Sequence, residues 1–327
     1  MDNRDVIARC VVASGAARVV VVTATEFARE AARRHDARAT AAIAMGRAGI
    51  AGLLLATLTK GDEQVTLQLL GNGALGGLTV DASSDATARV FVANPRLYYP
   101  MGPTGPMRPT RPVGLMDDGV RPRLGGALGV AGIVTVVRDL GLRDNYRGQT
   151  PLVDGEIDSD VERYLTDSEQ IDSALGCEVF ADGNGGITFA GGILVQSLPG
   201  GMGTEVVVAA RGRLRGGEVA AALSRQAADR GASSIGTHDI AAATLGGDIA
   251  SLVQLGEALP VRFHCPCSRE RAAATLALLG NHELVSMIKE DGAGEVTCEF
   301  CRSRYQFSDE NLETIRRSLH PEAPPPS

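Results

Sequence analysis

The chain has 327 residues, 44% hydrophobic and 22% charged, with a net charge of −7. That balance excludes wholesale disorder, the length suits about two domains, and the acidic total disfavours a general affinity for nucleic-acid backbones or anionic lipid. Glycine is abundant at 40 residues, Trp is absent, and Phe and Tyr number only 7 and 5, so the core must come from Ala, Val, Leu and Ile joined by tight turns.

The first ten residues, MDNRDVIARC, lack the apolar stretch of a secretory signal, and the expected location is the cytoplasm. Residues 6–12 and 19–22 are β-branched runs flanking Ser14-Gly15, a hairpin signal. Thr23 and Thr25 offer N-caps for a helix to about Arg34, and Thr23 with Glu26 fits a capping box. Residues 39–59 are apolar enough to raise the question of a membrane span. Arg47 near their middle would be costly in lipid, so a buried central helix is predicted. Residues 64–70, 78–80 and 87–92, separated by glycine turns such as GNGALGG, predict a strand meander. Residues 94–126 are rich in Pro, Gly and Arg and read as a long exposed loop, with a docking surface for an acidic partner as the sharper alternative. Strands are expected again at 132–137 and 150–153, a helix at 158–170, and a hairpin pairing 177–181 with 187–198. Pro199-Gly200-Gly201 closes an α+β domain, 1–201, dominated by antiparallel strands.

Residues 202–260 show apolar positions at helical spacing, as in Val219/Leu223 and Ile249/Leu252/Val253. Glycines at 212, 216, 217, 231, 236, 246 and 247 interrupt them. A mid-helix glycine costs about 1 kcal/mol relative to alanine, so these are short helices held by packing. They read either as an ordinary helical subdomain or as a metastable helical linker. The region 261–320 predicts a strand at 261–264, a helix capped by Ser268, a second capped by Asn281, a turn at 292–294, a cysteine knuckle and a last helix capped by Ser308. PEAPPPS, 321–327, reads as a disordered tail.

The chemistry concentrates in His264-Cys265-Pro266-Cys267 and Cys298-Glu299-Phe300-Cys301. Two close thiol pairs joined by intervening helices suit a tetrahedral ion, and four thiolates favour zinc, with an iron–sulfur cluster as the other option. A CxC pair is unusual in a purely structural site and suggests a second role for the thiols. Cys267 directly precedes a helix cap, where a thiolate is favoured. His264 and His282 are weaker ligand candidates, since four cysteines complete a site. Cys10 and Cys177 read as buried packing residues, His35-Asp36 as structural, and Arg269-Glu270-Arg271 as a solvated helix start. GNGALGG lacks the lysine and the strand–loop–helix context of a phosphate loop.

FHCPCSRERAAATLALLG, IKEDG and EVTCEFCRSRYQF, with AGLLLATLTKGDEQVTLQLLGNGALGGLTVD, YLTDSEQI and AGGILVQSLP upstream, resemble the redox-regulated 33 kDa heat-shock chaperonin family, the oxidation-activated holdases. The resemblance covers most of the chain. It implies one zinc per reduced chain, held by Cys265, Cys267, Cys298 and Cys301, and no catalytic residue. Oxidation would convert these thiols into disulfides Cys265–Cys267 and Cys298–Cys301, release zinc, unfold the C-terminal domain and remove support from the linker. Local pairing is expected because residues two or three apart meet the disulfide Cα distance in a turn even after unfolding, whereas a cross-pair must close a loop of about thirty residues. The exposed surface would bind unfolding client proteins without ATP, in a homodimer, with no nucleic-acid or membrane partner. The loop 94–126 is longer and more proline-rich than the family leads one to expect, and the linker is richer in Gly and Ala. Two other classes compete. A nucleic-acid-binding zinc ribbon needs a basic face, but 265–307 carries five Lys/Arg against six Asp/Glu. A thiol–disulfide oxidoreductase needs CxxC at the head of a helix in a βαβ unit.

Overall fold

The computed structural model describes residues 5–12, 15, 17–59, 63–99, 116–117, 121–139, 145–182, 184–198, 203–246 and 252–319. Two compact units divide the chain, Met1–His264 and Cys265–Ser327. Ser14, most of the predicted loop 94–126, Pro199-Gly200-Gly201, Ile249 and the tail 321–327 lie outside the described residues.

The first unit opens with the expected hairpin, β1 (Val6–Val12) and β2 (Ala17–Thr23), in which Ile7 faces Val22 and Cys10 faces Val19. Helix α1 (Thr25–His35) follows, but Thr23 does not cap it. The Thr23 hydroxyl accepts the Val6 amide at 3.1 Å. The orphan amide of Phe27 is met at 2.7 Å by Asp5, a residue the hairpin returns to the helix head. The capping box failed as a prediction because the cap comes from distant sequence.

Helix α2 (Ala39–Ala56) is buried along its whole length. Among the described residues it alone is long and apolar enough to cross a membrane, and every residue of that span is covered by protein. It packs against both sheets, and glycines set the approach. A Cβ on Gly46 would stand 3.0 Å from Val179, on Gly49 2.2 Å from Phe27, and on Gly52 2.5 Å from Val80. Arg47 is fully buried, bound to Glu156 at 3.2 Å and donating to the Pro122 carbonyl at 2.7 Å. Glu156 in turn accepts the amides of Leu124 and Gly125.

The meander β3 (Gln64–Gly71), β4 (Leu78–Ser83), β5 (Thr87–Val92) forms as read. Two short strands, β6 (Met116–Asp117) and β7 (Arg121–Pro122), pair with each other before the single turn α3 (Gly125–Leu128). Then come β8 (Gly132–Asp139), β9 (Tyr146–Pro151), α4 (Asp158–Asp167), β10 (Ser173–Ala181) and β11 (Ile187–Ser197). Cys177 thus lies mid-strand in β10, not at a strand start.

Helices α5 (Thr204–Arg215), α6 (Glu218–Arg230) and α7 (Thr237–Leu245) follow. The strands β12 (Leu252–Gln254), β13 (Leu259–Pro260) and β14 (Arg262–Phe263) complete the unit. The helical reading of Leu252/Val253 is corrected: this stretch is extended and pairs with β1, Cys10 facing Gln254. An open sheet edge supplied hydrogen bonds that outweighed the local apolar spacing.

One sheet has the order β10-β11-β2-β1-β12, with β13 also on β1; the other runs β14-β5-β4-β3-β8-β9. Pairing is antiparallel except between β14 and β5. The α+β class with mainly antiparallel sheets holds. The far face of the first sheet, with Ala8, Cys10, Val19, Val21, Phe189 and Ile193, is covered by Val207, Leu214, Leu223 and Ile240 of α5–α7. Arg211 and Arg215 fasten α5 to Glu162 at 2.8 and 2.9 Å.

The second unit holds α8 (Arg269–Ala277), α9 (Gly280–Glu290), β15 (Ala293–Thr297), β16 (Arg304–Ser308) and α10 (Asp309–Ser318) around Ala272, Leu276, Leu284, Phe307 and Leu312. Ser268 and Ser308 cap α8 and α10 through the amides of Arg271 and Asn311. Asn281 caps nothing: it lies inside α9 and accepts from Arg316 at 3.1 Å. Arg269 is not simply solvated. Its guanidinium stacks 4.4 Å from the Phe307 ring centroid and donates to Gln306 and Asn311.

Candidate metal centre

Cys265 and Cys267 sit on the irregular segment before α8, and Cys298 and Cys301 on the turn joining β15 to β16. That turn is closed by the Cys298 amide donating to Ser303 at 2.9 Å and the Arg302 amide to Cys298 at 2.8 Å. Arg302 takes a left-handed φ of 60°, which helps the chain reverse from β15 into β16.

The four Sγ atoms lie within 4.8 Å of one another. Cys265 and Cys298 are 3.7 Å apart, Cys267 and Cys301 3.2 Å. A tetrahedral tetrathiolate with metal–sulfur bonds of about 2.3 Å has edges of about 3.8 Å, so the donor set fits a soft four-coordinate ion. These two contacts each join one sulfur from the first pair to one from the second.

Two hydroxyls that sequence reasoning missed touch the centre. Tyr305 donates to Cys267 Sγ at 3.1 Å, and Ser303 Oγ lies 3.2 Å from Cys301 Sγ. The signal was present in CRSRYQF, four and two residues beyond Cys301, but a tyrosine on a strand reads first as packing. Burial pushes the thiols of Cys267 and Cys298 up, the former to about 12. At Cys301 burial acts the same way, but contacts with Ser303 and the sulfurs of Cys267 and Cys298 outweigh it and bring the thiol to about 6. Crowded thiols cannot all ionise unaided; a bound cation is what allows four thiolates together.

The other candidates stand apart from this group. His264 belongs to the first unit, its amide donating to Ala88 at 2.9 Å, and the four-sulfur cluster forms without it. His282 is 95% exposed. Cys10 and Cys177 are buried in strands, and burial pushes the Cys10 thiol up. His35 is buried with its ring edge toward Phe91. In GNGALGG the amides of Gly73 and Leu75 are spent on the carbonyls of Leu128 and Ala127, which leaves no phosphate cradle there.

Comparison with known proteins agrees over almost the whole length. The family model described as Hsp33 protein matches residues 5–308. The 33 kDa chaperonin of Halalkalibacterium halodurans is 34% identical over 301 residues, covering 92% of this chain and 94% of the relative. That of Bacillus subtilis is 32% identical over 312 residues, covering 95% and 98%. The crystal structure of the 33 kDa chaperonin from Thermotoga maritima superposes with a TM-score of 0.78 at 30% identity, covering 96% of this chain and 98% of that one. Sequence, fold and the four-cysteine cluster therefore lead to one conclusion: the chain belongs to the Hsp33 family, whose members are chaperones and not enzymes.

Proposed function

We propose that this protein is a redox-regulated, ATP-independent holdase that binds unfolding proteins under oxidative stress. In the reduced chain Cys265, Cys267, Cys298 and Cys301 hold one zinc ion. The observation that carries the reading is the convergence of four thiols in a unit with only a small apolar core, Ala272, Leu276, Leu284, Phe307 and Leu312. In such a unit metal binding supplies much of the folding free energy.

The proposed switch forms Cys265–Cys267 and Cys298–Cys301. In each step two thiolates give two electrons to a peroxide, whose O–O bond breaks and, with two protons, yields two waters. Zinc leaves as Zn2+. In the folded unit all four sulfurs lie within 4.8 Å of one another, so cross-pairs compete with local pairs until the unit opens as zinc departs, after which the short separations favour local pairing. Residues 202–260 then act as a metastable linker that loses its support. Helices α5–α7 cover an apolar sheet face, and their release supplies surface for clients. The active form is taken as a cytoplasmic homodimer. A nucleic-acid role is disfavoured by the acidic balance of 265–307.

Light scattering of a heat-unfolding client, without nucleotide, tests this. Oxidised protein is expected to suppress scattering and reduced, zinc-loaded protein to leave it unchanged; equal behaviour of both forms overturns the reading. Peptide mapping of the oxidised chain is expected to find the two local disulfides, and predominant Cys265–Cys298 linkage would refute the local switch.

A further inference from the structure

Three positions on the inward-facing rows of the two sheets carry arginines instead of apolar side chains. Arg9 on β1 pairs with Val20 and Arg18 on β2 pairs with Val11, which makes the two arginines diagonal neighbours on one face. It is the face that sends Ile7, Val20 and Val22 into the central core. On the opposite sheet Arg138 continues the inward row of Val134 and Val136. The three side chains are near enough that Arg18, already disfavoured as a cation by burial, has its pKa lowered further by the charges of Arg9 and Arg138.

Their partners do not balance them. Arg138 lies 2.8 Å from Glu169, which also accepts from the Tyr164 hydroxyl at 2.6 Å. Arg18 donates to the neutral amide of Gln196, and Arg9 reaches the Ser84 carbonyl at 3.5 Å. Among the described residues, then, Arg138 alone of the three faces a carboxylate. The Nε atoms of Arg18 and Arg138 are buried with no acceptor. A buried donor without a partner carries its full desolvation cost, and like charges add to it.

We propose that Arg9, Arg18 and Arg138 form a binding site for a small oxyanion of the phosphate class. Such a ligand offers the missing acceptors, neutralises the uncompensated charges and matches the planar fork of guanidinium. Arg9 and Arg18 are partly exposed, so the site opens to solvent and admits either free phosphate or the terminal phosphoryl group of a nucleotide. This proposal is independent of the redox switch.

The test is calorimetric titration of the reduced, zinc-loaded full chain with inorganic phosphate, at ionic strength held constant with chloride. Saturable binding is expected, with a rise in the melting temperature of the first unit. Arg18→Gln is expected to weaken binding about tenfold or more, since a charged bidentate donor is lost. It should also raise the melting temperature without phosphate, because it removes one of three like charges; that gain separates loss of the site from loss of the fold. Arg9→Gln, at a more open position, is expected to weaken binding less. A parallel titration with ATP identifies the source: comparable affinity means recognition of a terminal phosphoryl group, and phosphate binding alone means the free oxyanion. No saturable phosphate binding up to tens of millimolar, or equal affinity in wild type and both variants, overturns the proposal.

Discussion

Under the proposed switch Cys267 holds a metal and yields to an oxidant, and the hydroxyl of Tyr305, donating to its sulfur, favours the thiolate form that binds the metal. Tyr305→Phe keeps the ring and removes the donor. Outer-shell contacts of this kind are commonly worth about 10–100-fold in metal affinity. The variant is therefore expected to bind zinc about tenfold more weakly and to release it faster under peroxide, followed with a chromophoric chelator. Asp5 makes a second residue-scale prediction. Burial raises its carboxyl to about 6 despite the amide bonds it accepts from the head of α1. A raised folded-state value means that its contribution is present below the unfolded carboxylate range and is lost as pH climbs through about 6. Asp5→Asn should thus match wild type near pH 4 and exceed it near pH 8, by on the order of 3 kcal/mol at most, as read from urea unfolding at the two pH values. The grouping of the four cysteines was legible because two close pairs stand out in the sequence. Asp5 was not, because a cap donated across a hairpin leaves no local pattern.

At the scale of elements, α2 carries the fold. Its glycines face α1 and both sheets at contact distances that leave no room for a side chain. Gly52→Ala places a Cβ 2.5 Å from Val80 Cγ1, and the overpacking is expected to cost about 1–3 kcal/mol, measured by urea unfolding. An unchanged midpoint would mean that β4 yields freely. The helix was readable in the sequence as buried, since Arg47 excluded lipid and the run was too apolar for a surface. Helices α5–α7 were readable as helices but not as the cover of a sheet. Their anchors, Arg211 and Arg215 on Glu162, join residues 49 and 53 positions apart. Strand β12 was misread because three residues of edge strand carry too little pattern to overrule an apolar spacing.

At the scale of the whole molecule, apolar material is unevenly shared. Among the described residues the first unit holds two extensive clusters and the second one cluster of five buried apolar residues. Chelating the metal under reducing conditions is expected to abolish hydrogen-exchange protection in α8–α10 while β2, β3 and α2 stay protected. Protection of 204–246 should fall with that of the second unit; if it persists, those helices are an ordinary subdomain and not a metastable linker. The α+β class was legible from alternating strands and glycine turns. The order of the two sheets was not, because it rests on pairings between distant strands such as β2 with β11. One short stretch finishes both sheets. β12 and β13 pair with β1, and β14 with β5, so that the Leu255 amide meets Arg9 and the His264 amide meets Ala88. Loosening residues 252–264 would leave a raw margin of main-chain donors and acceptors on each sheet at the same moment. Such margins recruit extended polypeptide through the backbone alone and read little of its side chains.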